Sequence, residues 1–564
     1  MNLRLAFVLL SIPFTSFAAH SQVTLPRILS SHMVVQRDLP VHIWGTAAVG
    51  ESIQVTFRGD TRSTISGPLG RWSVYLPPGA AGGPFNLIVK GTPSTGAPGP
   101  QDSVSLDDVL VGDLWVASGQ SNMEFEMRKA ATAAQDLPHA ANPRIRLLIV
   151  NKIASEYPKD DIETSGWAAS TPETARDFSA VAWYFARDIE LKEHVPVGVI
   201  DSTWGGTVAE AWTRLAALGQ DAALAPLFVS WGRMTEHEED ALIADKQEQR
   251  QRAEAKTSGK PEPQFPWHPT LLSWGPGMLW NGMIAPLTPF PIRGVIWYQG
   301  ESNSALARAP LYQRVFSTLI EDWRHQWAIG DFPFLFVQIS NFKSSPAEDW
   351  AELREQQLKT LTLRNTAMAV TIDIGNPVDV HPTDKVDVGA RLALAARALT
   401  YGEDVSYSGP IFRQATPEGP AIRVWFEHHA GGLFAKGEVL TGFEVAGSDS
   451  KFVSAVAKID GIVQSVKRDR RLILPGIKIE DAFPAQAGIR VFSRWLRGGV
   501  LTTSLPRYGG EGIHASGRES DNARSRESFR KTSRRQRVHC PRQLRTFVGA
   551  KFLAREKKYI RRIG

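Results

Sequence analysis

Cysteine is nearly absent: the 564-residue chain has one, Cys540, so no intramolecular disulfide can form and the fold must rest on packed cores. Metal-ligating patterns are missing too. No H-E-x-x-H occurs, since His237 is followed by Glu-Glu-Asp, and no histidine pair in the middle of the chain has metal-site spacing. Neither a metal nor another cofactor is expected. The sole apolar run approaching a membrane span is LAFVLLSIPF after Arg4. Pro13 interrupts it and small residues follow near Ser16 and Ala18, the pattern of a secretory signal over residues 1–21. The chain is therefore expected to be exported to the periplasm or beyond, without a membrane span. An excess of positive charge is confined to one end. From Arg507 onward 17 Lys and Arg oppose 5 Asp and Glu, which leaves 47 against 53 before it, so the net +6 conceals an acidic body. Such a body cannot neutralise phosphates, and nucleic acid is not an expected partner.

What the chain has is apolar and aromatic mass: 43% hydrophobic residues and 17 Trp exclude a disordered or fibrous protein and supply cores for roughly two to four domains. After the signal, Ile53, Val55 and Phe57, then Trp72, Val74 and Leu76, then Phe85, Leu87 and Val89 alternate between Gly and Pro turns. This predicts an antiparallel, sandwich-like β domain over 22–105, with a turn-rich linker near 91–103. From 106 to 402 strand-like runs alternate with helical periods: DVLVGDLWVAS, RIRLLIV, AVAWYFARDIEL, VPVGVIDS, IRGVIWYQ, FLFVQIS, MAVTIDI. That rhythm predicts an α/β domain with a parallel sheet covered on both faces. A dense run of Glu, Lys, Gln and Arg at about 225–275 reads as a solvated insertion. A second β domain is expected over 403–504. The basic, Arg- and Ser-rich segment 505–564 has no apolar period; it is expected to be disordered and reads as an altered reading frame or adventitious extension.

Four polar segments follow apolar strands of the α/β domain, where the carboxyl ends of a parallel sheet form a ligand crevice. In GQSNMEFEM, Ser121 stands where a helix can begin, placed like a nucleophile whose oxyanion would meet unpaired N–H groups. A serine there is more often an N-cap. The elbow G-x-S-x-G is excluded, because Met123 occupies the second glycine position. After VPVGVIDS come Gly205 and Gly206, whose backbone can approach a ligand; after GVIWY come Gln299, Glu301 and Asn303, where an amide side chain is able to donate a hydrogen bond. After MAVTIDI comes His381, with Asp379 and Asp373 as acids able to hold its tautomer. Each segment alone is an ordinary turn. Four together on one sheet edge point to an active site.

GQSNMEFEM, DSTWGGTVAEAW, VIWYQGESN and DVHPTDK resemble, in order, the conserved blocks of the SGNH-type carbohydrate esterases, specifically the sialate O-acetylesterase family. The resemblance covers 106–400 and extends over about 23–500. It implies a flavodoxin-like three-layer hydrolase domain with accessory β domains, an acetylated carbohydrate substrate and cofactor-free removal of O-acetyl groups. It carries over Ser121 as nucleophile and His381 as base, with Gly206 and Gln299, or alternatively Asn303, as oxyanion donors beside the Ser121 N–H. Gln120, Asn122, Trp204 and Glu301 flank these positions and are expected at the substrate. The chain departs from the wider superfamily three residues before the histidine, where Val378 replaces the usual Asp. The orienting acid is thus open between Asp379, Asp373 and a pair held by backbone groups or Glu301. Among the alternatives are an acetylxylan or other plant-polysaccharide esterase and a carbohydrate-binding protein. A glycosidase using Glu301 with Glu124 or Glu126 ranks lower, since residues two apart on a helix do not share a face.

Overall fold

The computed structural model describes residues 23–92, 102–418 apart from 264, 266 and 267, and then 421–428, 433, 440, 443–446, 452–460 and 476–479. The expected signal, most of the linker and the tail from 505 lie outside these residues. The first strands are β1 (Val34–Gln36), β2 (Val41–Thr46), β3 (Ser52–Phe57), β4 (Asp60–Ile65), β5 (Arg71–Leu76) and β6 (Gly82–Thr92). β3 pairs antiparallel with β4 and β6, and β2 with β5. Ile53, Val55 and Phe57 of β3 and Trp72, Val74 and Leu76 of β5 are buried, while the residues between them face outward. The period of two in the sequence is thus one wet face and one core face.

Strand β7 (Ser103–Gly119) joins two architectures. Its first residues pair with β6 and alternate in exposure; from Val109 to Gly119 every residue is buried. The change follows its surroundings: Val109–Gly112 lie between β6 and parallel β1, and beyond them β7 runs between parallel β10 and β11 in a sheet covered on both faces. The boundary expected between 105 and 106 falls inside this strand, which serves both sheets. The remaining core strands are β8 (Asn142–Ile149), β9 (Ala168–Ser170), β10 (Val197–Thr203), β11 (Gly294–Tyr298), β12 (Phe334–Val337) and β13 (Thr366–Ala369). Their order is β13-β12-β11-β7-β10-β8-β9, parallel except for β9.

The helices used below are α1 (Ser121–Glu124), α2 (Ala180–Glu193), α3 (Glu238–Thr257), α4 (Tyr312–Trp327), α5 (Trp350–Lys359) and α6 (Val386–Leu399). Alternate residues of the sheet meet different helices. Trp115 of β7 packs edge-on against Phe185 of α2, with ring centres 4.9 Å apart. Trp297 of β11 is stacked on Phe316 of α4 at 5.9 Å and meets Trp323 edge-on at 6.0 Å. Helix α6 lies against α2, where a Cβ on Gly389 would come within 2.5 Å of the Tyr184 Cβ. The result is the three-layer α/β arrangement that the alternating pattern predicts. Helix α3 buries Ala255 alone among its 20 residues and is the solvated insertion. Beyond Leu399, strands Ile411–Glu418, Ala421–Glu427, Gly476–Ile479 and Ala457–Asp460 pair antiparallel next to a small separate core of Ile422, Val424, Phe426, Phe443 and Ala457.

Trp297 is fully buried at the centre of this aromatic layer, whereas Ile65 is 68% exposed. Trp297→Ala is expected to lower unfolding free energy in urea by about 3–5 kcal/mol, and Ile65→Ala by no more than about 0.5 kcal/mol.

Candidate active site

Residue Gly119 ends β7 flush with Thr203 of β10 and Tyr298 of β11. The loops after the three strands therefore start side by side. Gln120 N donates to Tyr298 O at 3.0 Å and Trp204 N to Gly119 O at 3.1 Å, which pins the turn to both neighbours. Gly119 has φ of +131°, and a Cβ there would lie 2.2 Å from Tyr298 O. Only glycine allows the strand to turn at this point.

Helix α1 then starts at Ser121. Its N-cap is Gln120, which makes no side-chain cap bond, so Ser121 is not the capping serine. Its Oγ instead lies 2.8 Å from His381 Nε2, 260 residues further along the chain. The His381 ring is half-buried and its pKa is lowered, first by burial and next by the Lys385 charge, against the opposing pull of Asp379. A neutral imidazole is the form able to accept the hydroxyl proton. Among the described residues the N–H groups of Ser121 and Gly206 make no hydrogen bond. The Gly205 backbone passes close to the serine, since a Cβ on it would stand 3.2 Å from Ser121 Cβ. Glu124 holds that approach: its Oε2 accepts the Gly205 N–H at 2.5 Å and its other oxygen pairs with Lys152.

The other sequence-selected residues divide by what their polar atoms already hold. Gln299 is not placed to donate to an oxyanion: its Nε2 gives both hydrogens away, to Thr207 O at 3.1 Å and Asn303 Oδ1 at 2.7 Å. Asn303 is buried, with Nδ2 donating to Glu210 Oε2 at 2.9 Å and Oδ1 accepting from Ala209 N at 2.9 Å. Gln120 is turned inward, where its Oε1 accepts the N–H groups of Gly300 at 3.3 Å and Ser302 at 3.2 Å. Asn122 is fully buried and gives its two amide hydrogens to Glu301 Oε1 at 2.6 Å and Val380 O at 3.0 Å. Gln299, Asn303 and Asn122 join loops through both ends of their amides, and Gln120 does so through its oxygen. Trp204 is half-buried. Burial raises the pKa of Glu301, and its Oε2 is buried without a partner.

The acids sort as clearly. Asp373 forms a two-pronged pair with Arg391 at 2.6 and 2.7 Å, which removes it as the partner of His381. Asp379 accepts the backbone N–H of His381 at 2.9 Å, while its carboxylate stands 3.8 Å from the ring Nδ1 and is 54% exposed. Glu124 and Glu126 do not share a helix, because α1 ends at Glu124 and Phe125 turns the chain; Glu126 pairs instead with Arg128 and Lys129.

Sequence reasoning missed the groups behind these loops. Lys385 is 1% exposed and donates to Asn122 Oδ1 at 2.6 Å. Arg308 is buried against Glu210, the carboxylate behind Asn303. Tyr312 O–H donates to Gln299 Oε1 at 2.8 Å. Lys385 lies within DVHPTDK, yet nothing in the spacing distinguishes a buried lysine from a solvated one. Among the described residues no group of three His, Cys, Asp or Glu is placed to hold a metal ion, and no helix is long and apolar enough to cross a membrane.

Comparison with known proteins places this chain in a family. Residues 273–398 match a family model described as carbohydrate esterase, sialic acid-specific acetylesterase. The chain is 32% identical over 442 residues to the sialate O-acetylesterase of Mus musculus, covering 72% of this chain and 78% of that protein. It is 30% identical over 419 residues to the Homo sapiens sialate O-acetylesterase, covering 68% and 72%. Among solved structures, a carbohydrate acetylesterase from Xanthomonas citri matches with a TM-score of 0.67 and 35% identity, over 82% of this chain and 92% of that one.

Because Gly119 admits no side chain, Gly119→Ala is expected to displace Ser121 while leaving the distant layers folded. Labelling of Ser121 by an organophosphonate, read by peptide mass, should slow at least about tenfold; unchanged labelling would show that the turn tolerates a Cβ.

Proposed function

The chain belongs to the sialate O-acetylesterase family and is a carboxylic ester hydrolase that removes O-acetyl groups from sugars; from that premise we propose that Ser121 is its nucleophile and His381 its general base. The observation that carries the assignment is the 2.8 Å contact between Ser121 Oγ and His381 Nε2 at the carboxyl edge of the sheet. Ser121 Oγ attacks the acetyl carbonyl as its proton passes to Nε2. The N–H groups of Ser121 and Gly206 receive the oxyanion. His381 returns the proton to the departing sugar oxygen, which leaves an acetyl-enzyme and a free sugar hydroxyl. Water, deprotonated by the same imidazole, then releases acetate and restores Ser121.

Asp379 is the acid we assign to His381. It supports the imidazolium that forms during attack across 3.8 Å, without a hydrogen bond to the resting ring. Export to the periplasm or beyond belongs to the same reading and is carried by the apolar run after Arg4. The acyl group is common to every substrate considered, so the sugar must be identified by assay. The mammalian relatives are named for sialate and the Xanthomonas citri protein for carbohydrate in general.

Acetate release from O-acetylated sialic acid and from acetylated xylan, followed in parallel, tests both questions. Ser121→Ala should reduce release from the preferred substrate by at least about 10³-fold; retention of activity would remove Ser121 as nucleophile. Asp379 raises the His381 pKa, so Asp379→Asn should move the acid limb of kcat/KM to lower pH. Its plateau should fall far less than the ~10⁴-fold loss that follows neutralising a buried acid hydrogen-bonded to the ring.

A further inference from the structure

Asn122 follows Ser121 and Val380 precedes His381, and one amide connects them: Asn122 Nδ2 donates to Val380 O at 3.0 Å and to Glu301 Oε1 at 2.6 Å. The oxygen and nitrogen ends of such an amide have nearly the same shape, so its orientation is decided by what each end meets. Here both ends are specified: two acceptors face Nδ2, and Lys385 donates to Oδ1 at 2.6 Å. Its ammonium lies 4.7 Å from the ring centre of Phe125 and 5.4 Å from that of Tyr298. Phe125 closes the helix that Ser121 opens, and Tyr298 is the strand end against which Gly119 turns. The lysine therefore touches α1, the residue that closes it and the end of β11, and it sits four residues beyond the base.

We propose that Lys385 is a positioning residue of this site, holding the loop after Ser121 and the loop before His381 in register through Asn122. This rests on the assignment of Ser121 and His381 above. Burial pushes the lysine down to about 7, against the pull of Glu301, Asp384 and Asp379. The other charges that act on His381 are Asp379 on its own loop, Lys129 in the turn beyond Glu126, and Glu124 on α1. Of the two lysines, Lys385 has the larger effect. A positive neighbour disfavours the imidazolium, so its removal raises the histidine pKa.

Lys385→Met removes donor and charge at similar volume, and Lys385→Gln removes the charge while keeping a donor. Acetate release as a function of pH should show kcat of Lys385→Met reduced by about tenfold or more, KM nearly unchanged, and the acid limb moved to higher pH. Lys385→Gln should recover much of kcat yet keep the displaced limb. If Lys385→Met fails to fold, the limb and kcat of Lys385→Gln decide the matter. A folded Lys385→Met with kcat within about twofold of the parent and an unmoved limb overturns the proposal, as does a Lys385→Gln whose limb is unmoved. Failure of the underlying assignment is seen separately, as activity that survives Ser121→Ala.

Discussion

Everything at the reaction centre depends on where β7 stops. The strand enters the molecule as an alternating, half-wet edge and becomes a fully buried ribbon at Val109. From there its register with β10 and β11 places Gly119 level with Thr203 and Tyr298. A slip of one residue would turn the faces of β7 over, burying against α2 what now meets α4. Trp115 at the Phe185 side opposes such a slip, and so does the buried Asp113, which accepts from Arg37 at 2.8 and 3.0 Å and from Tyr401 at 2.8 Å. A buried carboxylate so bonded is strongly destabilising to displace, because each partner would be left uncompensated. The position of Ser121 thus depends on contacts made further back along the strand.

At the carboxyl edge the same economy is achieved with amides. Gln120, Asn122, Gln299 and Asn303 each hold neighbouring loops, and Asn122 and Gln299 give both amide hydrogens in doing so. Side-chain amides suit this task because one group supplies two donors and an acceptor without a charge to desolvate. On the backbone, the N–H groups of Ser121 and Gly206 are left without a hydrogen bond among the described residues. A preorganised pair of N–H groups needs no rotamer change when negative charge develops, which is how an oxyanion is stabilised at small reorganisation cost.

Much of this was legible in the chain before the fold was known. The alternation around Ile53 and Trp72 marks a one-sided sheet, the continuous apolar runs mark a two-sided one, and the resemblance of four motifs pointed to Ser121 and His381. What could not be read were partnerships across long sequence distances. Gln299 has the chemistry of an oxyanion donor, and only the proximity of Thr207 and Asn303 shows that its hydrogens are taken. Asp373 and Asp379 look equivalent beside a histidine until Arg391, on the following helix, claims the first. Lys385 and Arg308 resemble any surface cation in sequence, and only burial distinguishes them.

The acid beside His381 shows why such distinctions govern the chemistry. A carboxylate hydrogen-bonded to the ring would both orient it and raise its pKa. Asp379 binds the backbone N–H instead and stands 3.8 Å from Nδ1, half in solvent, so its Coulombic hold on the ring is weakened by water. Orientation must then come from the loop itself. That loop is tied at Val380 to Asn122, and at Thr383, whose carbonyl accepts the Ala131 N–H at 2.9 Å. With the ring placed by backbone restraints, burial and the nearby lysine are free to keep it uncharged at rest. In the proposed reaction the negative charge of Asp379 gains importance only once the proton has moved, when an imidazolium is present for it to attract.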